Sequence, residues 1–403
     1  MLPAMTLVIS RDPTKKNVLV LALCQAFAMA STSLLMTMAA LVGTTMADDP
    51  NLATLPLALQ FGMMMVATVP ASLLMRRIGR RWGFTVGACF GVVGGLLGMV
   101  AVFQANFLLL NVAATFTGTA AAFTMYYRFA AADTASDAFK SKAISLVLAG
   151  GVLAAVIGPQ LAKLTRDLFD PVEFAGGYLA VALLQLLAMA LMQFVEIPHQ
   201  RVDKSAHGGR PLLEIMAQPK FIVAAFCGMV GYGAMNLIMV ATPLAMVAGS
   251  HAFNDAASVI QFHVLGMYAP SFFTGALIHR FGLKPILTTG ALLMIATIAI
   301  NVSGSAFGNF AVSLIILGLG WNFLFVGGST LLTATYREEE KARVQAANDL
   351  LVFSTVTVSA FSSGALFNAF GWEVVNLSVA LPLVLVLLSL VWLAGKQRAR
   401  ATA

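Results

Sequence analysis

The chain has 403 residues, of which 59% are hydrophobic and 10% charged, against about a quarter charged in an ordinary soluble domain. A water-soluble surface cannot be made from that composition, so a string of soluble domains is excluded. The net charge of +7 is dispersed as small basic clusters between apolar runs, a topology signal rather than a nucleic-acid-binding face, and no nucleic acid is expected as a partner.

A bilayer core needs about 20 apolar residues per helix. The first expected span, 17–45, follows Arg11, Lys15 and Lys16 and is too long for a signal-peptide core, so it reads as an uncleaved span. Eleven more follow near 54–75, 83–103, 106–130, 141–165, 175–195, 219–248, 256–278, 284–303, 309–335, 345–369 and 374–394. Cys24, Cys89 and Cys227 fall inside these runs without CxxC spacing and read as small buried residues. Between the sixth and seventh spans lies the longest polar stretch, with His199 and His207. A solvated linker explains it without a metal, and the chain divides into bundles 1–195 and 219–403 joined by a cytoplasmic linker, 196–218.

Alternate connections carry the basic residues: Arg76, Arg77, Arg80 and Arg81, then Lys140 and Lys142, Arg201, Lys204 and Arg210, Arg280 and Lys284, Arg337, Lys341 and Arg343, and the tail Lys396, Arg398 and Arg400. Opposite connections hold Lys163 and Arg166 beside acidic residues such as Asp48, Asp49 and Glu173. Both termini are therefore placed in the cytoplasm. The expected fold class is an all-α integral membrane protein of twelve transmembrane helices in two six-helix bundles. No hydrolase, kinase, Rossmann or Walker motif is present, so a non-enzymatic carrier without a cofactor is expected.

The halves resemble one another. Ser72-Leu-Leu-Met-Arg76-Arg77-Ile-Gly79-Arg80-Arg81 matches Gly275-Ala-Leu-Ile-His279-Arg280-Phe-Gly282-Leu-Lys284 at a constant offset of 203, the mark of an internal repeat. These loops resemble the signature of the major facilitator superfamily, Gly-x-x-x-Asp-Arg-x-Gly-Arg-Lys: Arg77, Gly79, Arg80 and Arg81 fit it, as do Gly275, Arg280, Gly282 and Lys284. Ser72 replaces the glycine, and Arg76 and His279 replace the aspartate. The resemblance implies the major facilitator fold, alternating access, and a role for these loops in the cytoplasmic gate. Gly158-Pro159 in span five echoes an antiporter motif of the same family.

Fold does not name the cargo. Span seven holds Met235 and Met239, span eight His263 and Met267, each an i, i+4 pair on one helix face. If the two spans are antiparallel neighbours turning near residue 251, Met235 lies level with Met267 and Met239 with His263, giving two rungs near mid-membrane. Thioether and neutral imidazole suit a soft cation such as Cu(I). Ordinary methionine packing is the bland alternative among 21 methionines, but a membrane histidine argues for function. The offset of 203 maps Met239 to Met36, Met267 to Met64 and His263 to Gln60, so Met36 and Met64 are candidate ligands from the opposite wall. Met46, Met246 and His251 are placed at the periplasmic mouth, and Cys227 two turns toward the cytoplasm on an exit path. Arg128 is a candidate ion-pair partner of Asp133, and Asp349 a candidate for a similar pair.

The two motifs, MxxxM and HxxxM, resemble those of the copper importers of the superfamily, the CcoA-like group. That resemblance implies copper import across the bacterial inner membrane for haem–copper oxidase assembly, with copper as substrate, a cytoplasmic copper chaperone as a possible recipient, membrane lipid around a multi-pass chain, and a monomer. A related group carries riboflavin, and an organic-solute carrier for riboflavin or a drug-like molecule is the alternative, with Tyr126, Tyr127, Tyr232, Tyr268 and Trp321 then mattering more. A membrane copper sensor is a further competitor, disfavoured by the lack of an appended soluble domain.

Overall fold

A computed structural model describes residues 14–133, 137–197 and 209–401. The linker histidines His199 and His207 lie outside the described residues, as do Arg201 and Lys204 and the side chains of Asp133, Lys140, Lys142, Arg398 and Arg400. Among the described residues all regular structure is helical. In order the helices are α1 (Thr14–Met46), α2 (Leu55–Ile78), α3 (Arg80–Phe103), α4 (Phe107–Thr124), α5 (Tyr127–Asp133), α6 (Asp137–Thr165), α7 (Ala175–Met192), α8 (Leu212–Met216), α9 (Pro219–Ala248), α10 (Phe253–Tyr268), α11 (Ser271–Phe281), α12 (Leu283–Ser303), α13 (Phe307–Thr333), α14 (Lys341–Ser378) and α15 (Ala380–Ala401). Nine stretches among them are long and apolar enough to cross a bilayer. The last, Arg343–Gln397, has 55 residues, enough for two spans.

The twelve expected spans map onto these helices with three refinements. The fourth is α4 continued by α5, and the eighth is α10 and α11 broken at Ala269-Pro270, where proline lacks the N–H that would continue the helical ladder. The boundary between the eleventh and twelfth is a single residue, Gly371, whose φ of 79° and ψ of −179° interrupt α14.

The two repeat loops take the same backbone form. Gly79 has φ 88° and ψ 159°, Gly282 φ 88° and ψ 160°, a left-handed conformation that glycine adopts without Cβ strain. Each caps the preceding helix, Gly79 N–H donating to Met75 O and Gly282 N–H to Ile278 O, both at 2.9 Å. The basic residues around each turn end one helix and open the next.

Lipid supplies no hydrophobic drive between helices, so small residues and close packing hold a bundle together. α1 packs mainly on α6 and α7, and α3 on α4 and α7; in the second half α9 packs on α14 and α13, and α10 on α13. The two groups meet chiefly through α2 against α14 and α6 against α10. Gly158 belongs to this packing: a Cβ there would sit 2.7 Å from Ala30 O, which gives the Gly158-Pro159 pair a structural reason.

One close approach is repeated in both halves. A Cβ at Gly118 would lie 2.2 Å from Gln60 O, and one at Gly318 2.6 Å from His263 O. Gln60 and His263 are the repeat-related pair. In both halves a glycine lets one helix lie against the backbone of the other at this position.

Candidate functional site

His263 is fully buried on α10, and its Nδ1 lies 2.8 Å from Leu314 O on α13. A carbonyl can only accept, so Nδ1 carries the proton and Nε2 of the neutral ring holds a lone pair. Nε2 is buried and, among the described residues, has no hydrogen-bond partner. An unpaired buried acceptor is costly, whereas an imidazole oriented through its other nitrogen by a carbonyl is the usual state of a metal-ligating histidine. Met267 follows one turn later and is buried.

Met235, Met239 and Met267, with Met36, Met64, Cys227 and Met246, all belong to one contiguous buried cluster. The two opposed rungs expected from the sequence need revision. α9 and α10 do touch, but α10 packs most extensively on α13 and α6, and α9 on α14 and α13. The protonated nitrogen of His263 is directed to α13. Consecutive spans in the chain are not the principal neighbours here, and level-matching along the sequence assumed that they were.

The expected periplasmic collecting rim is also revised. Met246 is fully buried. His251 Nε2 lies 2.8 Å from Ser305 O and its ring stands edge-on to Phe310 at 5.7 Å, ties that fasten the turn after α9 to the turn before α13. Cys227 is buried at the contact with α13, where a Cβ on Gly328 would lie 3.5 Å from Cys227 Cβ.

Among the described residues, the hydrogen bonds between the two halves lie from mid-span to the periplasmic end. Gln160 Nε2 donates to Gln261 Oε1 at 2.6 Å and Lys163 Nζ to Ser258 Oγ at 2.7 Å, joining α6 to α10. Asn368 Nδ2 donates to Pro50 O at 2.6 Å, Thr54 Oγ1 to Phe361 O at 3.3 Å, and Ser354 Oγ to Met65 Sδ at 3.3 Å. These bonds hold the two halves together on the periplasmic side. Lower in the bundle, Arg128 on α5 and Asp349 on α14 bring opposite charges toward one another across the halves. Arg128 stacks over Phe129 at 4.8 Å.

An aromatic group gathers from α9, α10, α13 and α14. Trp321 and Phe325, one turn apart on α13, stack at 5.1 Å and 9°, and Tyr232 meets Trp321, Phe325 and Phe353 edge-on at 5.3 to 5.8 Å. Tyr268 closes on Trp321 at 6.0 Å. Tyr127 instead packs edge-on to Phe84 at 4.7 Å in a separate cluster. Two small cavities of about 10 Å³ each, room for one water apiece, lie between α1, α2, α4 and α7; both are lined by Gln60 and Thr117, and one also by Gln185.

On the cytoplasmic side of the second half, Arg210 Nη2 donates to Glu340 Oε2 at 2.7 Å, its Nε to Oε1 at 3.0 Å, and its Nη2 to Thr335 O. Glu340 is fully buried. The Arg210 guanidinium, with the Arg337 N–H, holds its carboxyl far below the usual carboxylate range. This clasp ties the end of the linker to the segment between α13 and α14, and no local pattern signals it because its partners lie 130 residues apart.

A chain of twelve membrane helices in repeated halves, joined by paired glycine turns, defines a membrane transporter. The chain matches the Major Facilitator Superfamily over residues 21–269 and 225–403 and belongs to it, as a multi-pass protein of the bacterial inner membrane. It is similar to the riboflavin transporter RfnT of Brucella anthropi, 38% identical over 94% of this chain and 95% of that protein. It is also similar to two Bacillus subtilis proteins named as uncharacterized MFS-type transporters, YddS and YdeG, each 25% identical over 94% and 95% of this chain and 91% and 93% of theirs. None of these three names mentions copper, and the whole-chain likeness favours the riboflavin alternative over the copper expectation.

Proposed function

We propose that this transporter carries copper, and that His263 and Met267 on α10, with Met235 and Met239 on α9, form its cargo site. The observation that supports this is the buried Nε2 of His263, a lone pair held in place by the Nδ1–Leu314 bond and given no partner among the described residues. Whole-chain likeness reports the scaffold, while cargo is decided by the groups in the site. Neutral thioether and imidazole ligands suit a soft cation that must leave as well as enter. Alternating access would part the periplasmic contacts between the halves and then open the opposite side around this site.

A second reading has its own support. The relative named as a riboflavin transporter matches nearly the whole chain, and the Trp321–Phe325 stack with Tyr232 and Tyr268 offers flat aromatic surface to a flavin ring.

Uptake of labelled copper and of labelled riboflavin by cells expressing the wild type, His263→Ala and Met235→Ala separates the two. The copper reading expects copper uptake by the wild type and background levels in both variants. Copper uptake that survives both substitutions, or riboflavin uptake in its place, overturns it.

A further inference from the structure

α13 holds the histidine-bearing span at more points than His263. α10 and α13 run in the same direction, and at their closest approach a Cβ on Gly318 would lie 2.8 Å from Met267 N, while one on Gly266 would lie 2.7 Å from Ile315 O. One turn further along α13, Asn322 is fully buried. Its Nδ2 donates to Met267 O at 2.8 Å and to Ser271 Oγ at 2.7 Å, and its Oδ1 accepts from Thr274 Oγ1 at 2.6 Å. The carbonyl of Met267 can only accept, which fixes the orientation of the amide.

These three partners straddle the break at Ala269-Pro270. Met267 is the penultimate residue of α10, while Ser271 and Thr274 are in the first turn of α11. One side chain therefore spans the interruption, bonds a carbonyl just ahead of the break, and fixes the angle between the two pieces. Together with the Leu314 bond it holds both ends of the His263–Met267 pair against one helix.

We infer that Asn322 is a positioning residue: it pins a hinge in the eighth span and thereby sets where Met267 stands relative to His263. The effect on transport rests on the cargo site proposed above; the hinge itself does not. Breaking a network by removing one member leaves partners unpaired, whereas replacing partners together by apolar groups of similar shape is nearly neutral for folding. Asn322→Leu is therefore paired with the double variant Asn322→Leu/Thr274→Val, which restores the core but not the pin.

Spin labels at Asn254 and Phe281, at the outer ends of α10 and α11 in a variant with Cys24, Cys89 and Cys227 replaced by serine, read the hinge directly. A single narrow distance is expected with Asn322 present and a broadened or shifted distribution in both variants. An unchanged distribution in the double variant overturns the inference. In uptake, both variants should raise the cargo concentration for half-maximal rate by about tenfold, as expected for roughly one buried hydrogen bond, whereas a merely structural role would lower the amount of protein and the maximal rate alone. A wild type that takes up neither copper nor riboflavin would sink the cargo site and leave the distance result to decide the hinge.

Discussion

The second and eighth spans are repeat mates, and they differ where it matters for cargo. Both lie against a glycine of the helix two spans on, Gly118 at Gln60 and Gly318 at His263, with backbone almost touching. There the likeness ends. α2 runs unbroken from Leu55 to Ile78 even through Pro70, and Gln60 borders two water-sized cavities. The eighth span is cut into α10 and α11 and carries a buried imidazole with one nitrogen unpartnered. The scaffold was duplicated, and thioethers occur in both copies, Met36 and Met64 being the repeat mates of Met239 and Met267; the buried histidine and the hinge belong to one copy. In a symmetric carrier the unlike half is where chemistry should be sought.

The largest test of this comparison is to disturb both copies alike. Gly118→Ala and Gly318→Ala each force a methyl into a backbone carbonyl, an overpacking that costs about 1–3 kcal/mol. Both should lower the thermal midpoint of the detergent-solubilised protein by similar amounts. Only Gly318→Ala should also cut uptake beyond what protein level explains, because it pushes α13 away from His263 and Met267. Equal uptake per folded molecule in the two variants would erase the distinction between the halves.

A smaller effect concerns the clasp outside the membrane. The Glu340 carboxyl is depressed in the folded protein, so it contributes stability that is present above the unfolded value of about 4.3 and is lost as pH falls below it. Glu340→Gln should lower the thermal midpoint at neutral pH, with the gap to wild type narrowing as the buffer is taken below about pH 4. A gap independent of pH would mean that the ion pair with Arg210 is not the stabilising element. The exposed Lys16–Glu196 pair is the control, since surface ion pairs contribute little.

Much of the architecture was legible in the chain. Twelve apolar runs, the alternation of basic clusters and the offset repeat gave the spans and the two glycine turns, because each depends on local composition or on a short motif. The break in the eighth span was visible only as Pro270. Its pin was not, since Asn322 is one of several asparagines in apolar runs and its role depends on a register between helices 48 to 55 residues apart. The candidate ligands were found as types and spacings, but the neighbour assumption used to align them did not hold. Two consecutive spans were taken as partners, whereas packing in this fold gives α10 chiefly to α13 and α6. The aromatic group beside Trp321 was only partly anticipated, with Phe325 and Phe353 missed because phenylalanine in a membrane span carries no signal of its own.

The most direct measurement is the affinity of the purified protein for Cu(I), by competition with a chromogenic chelator, in the wild type, His263→Ala and the repeat-mate variant Gln60→Ala, with riboflavin fluorescence quenching recorded on the same samples. The account predicts Cu(I) binding by the wild type and Gln60→Ala, its loss in His263→Ala, and no riboflavin quenching. Riboflavin binding by all three proteins, with Cu(I) affinity indifferent to His263, would contradict it.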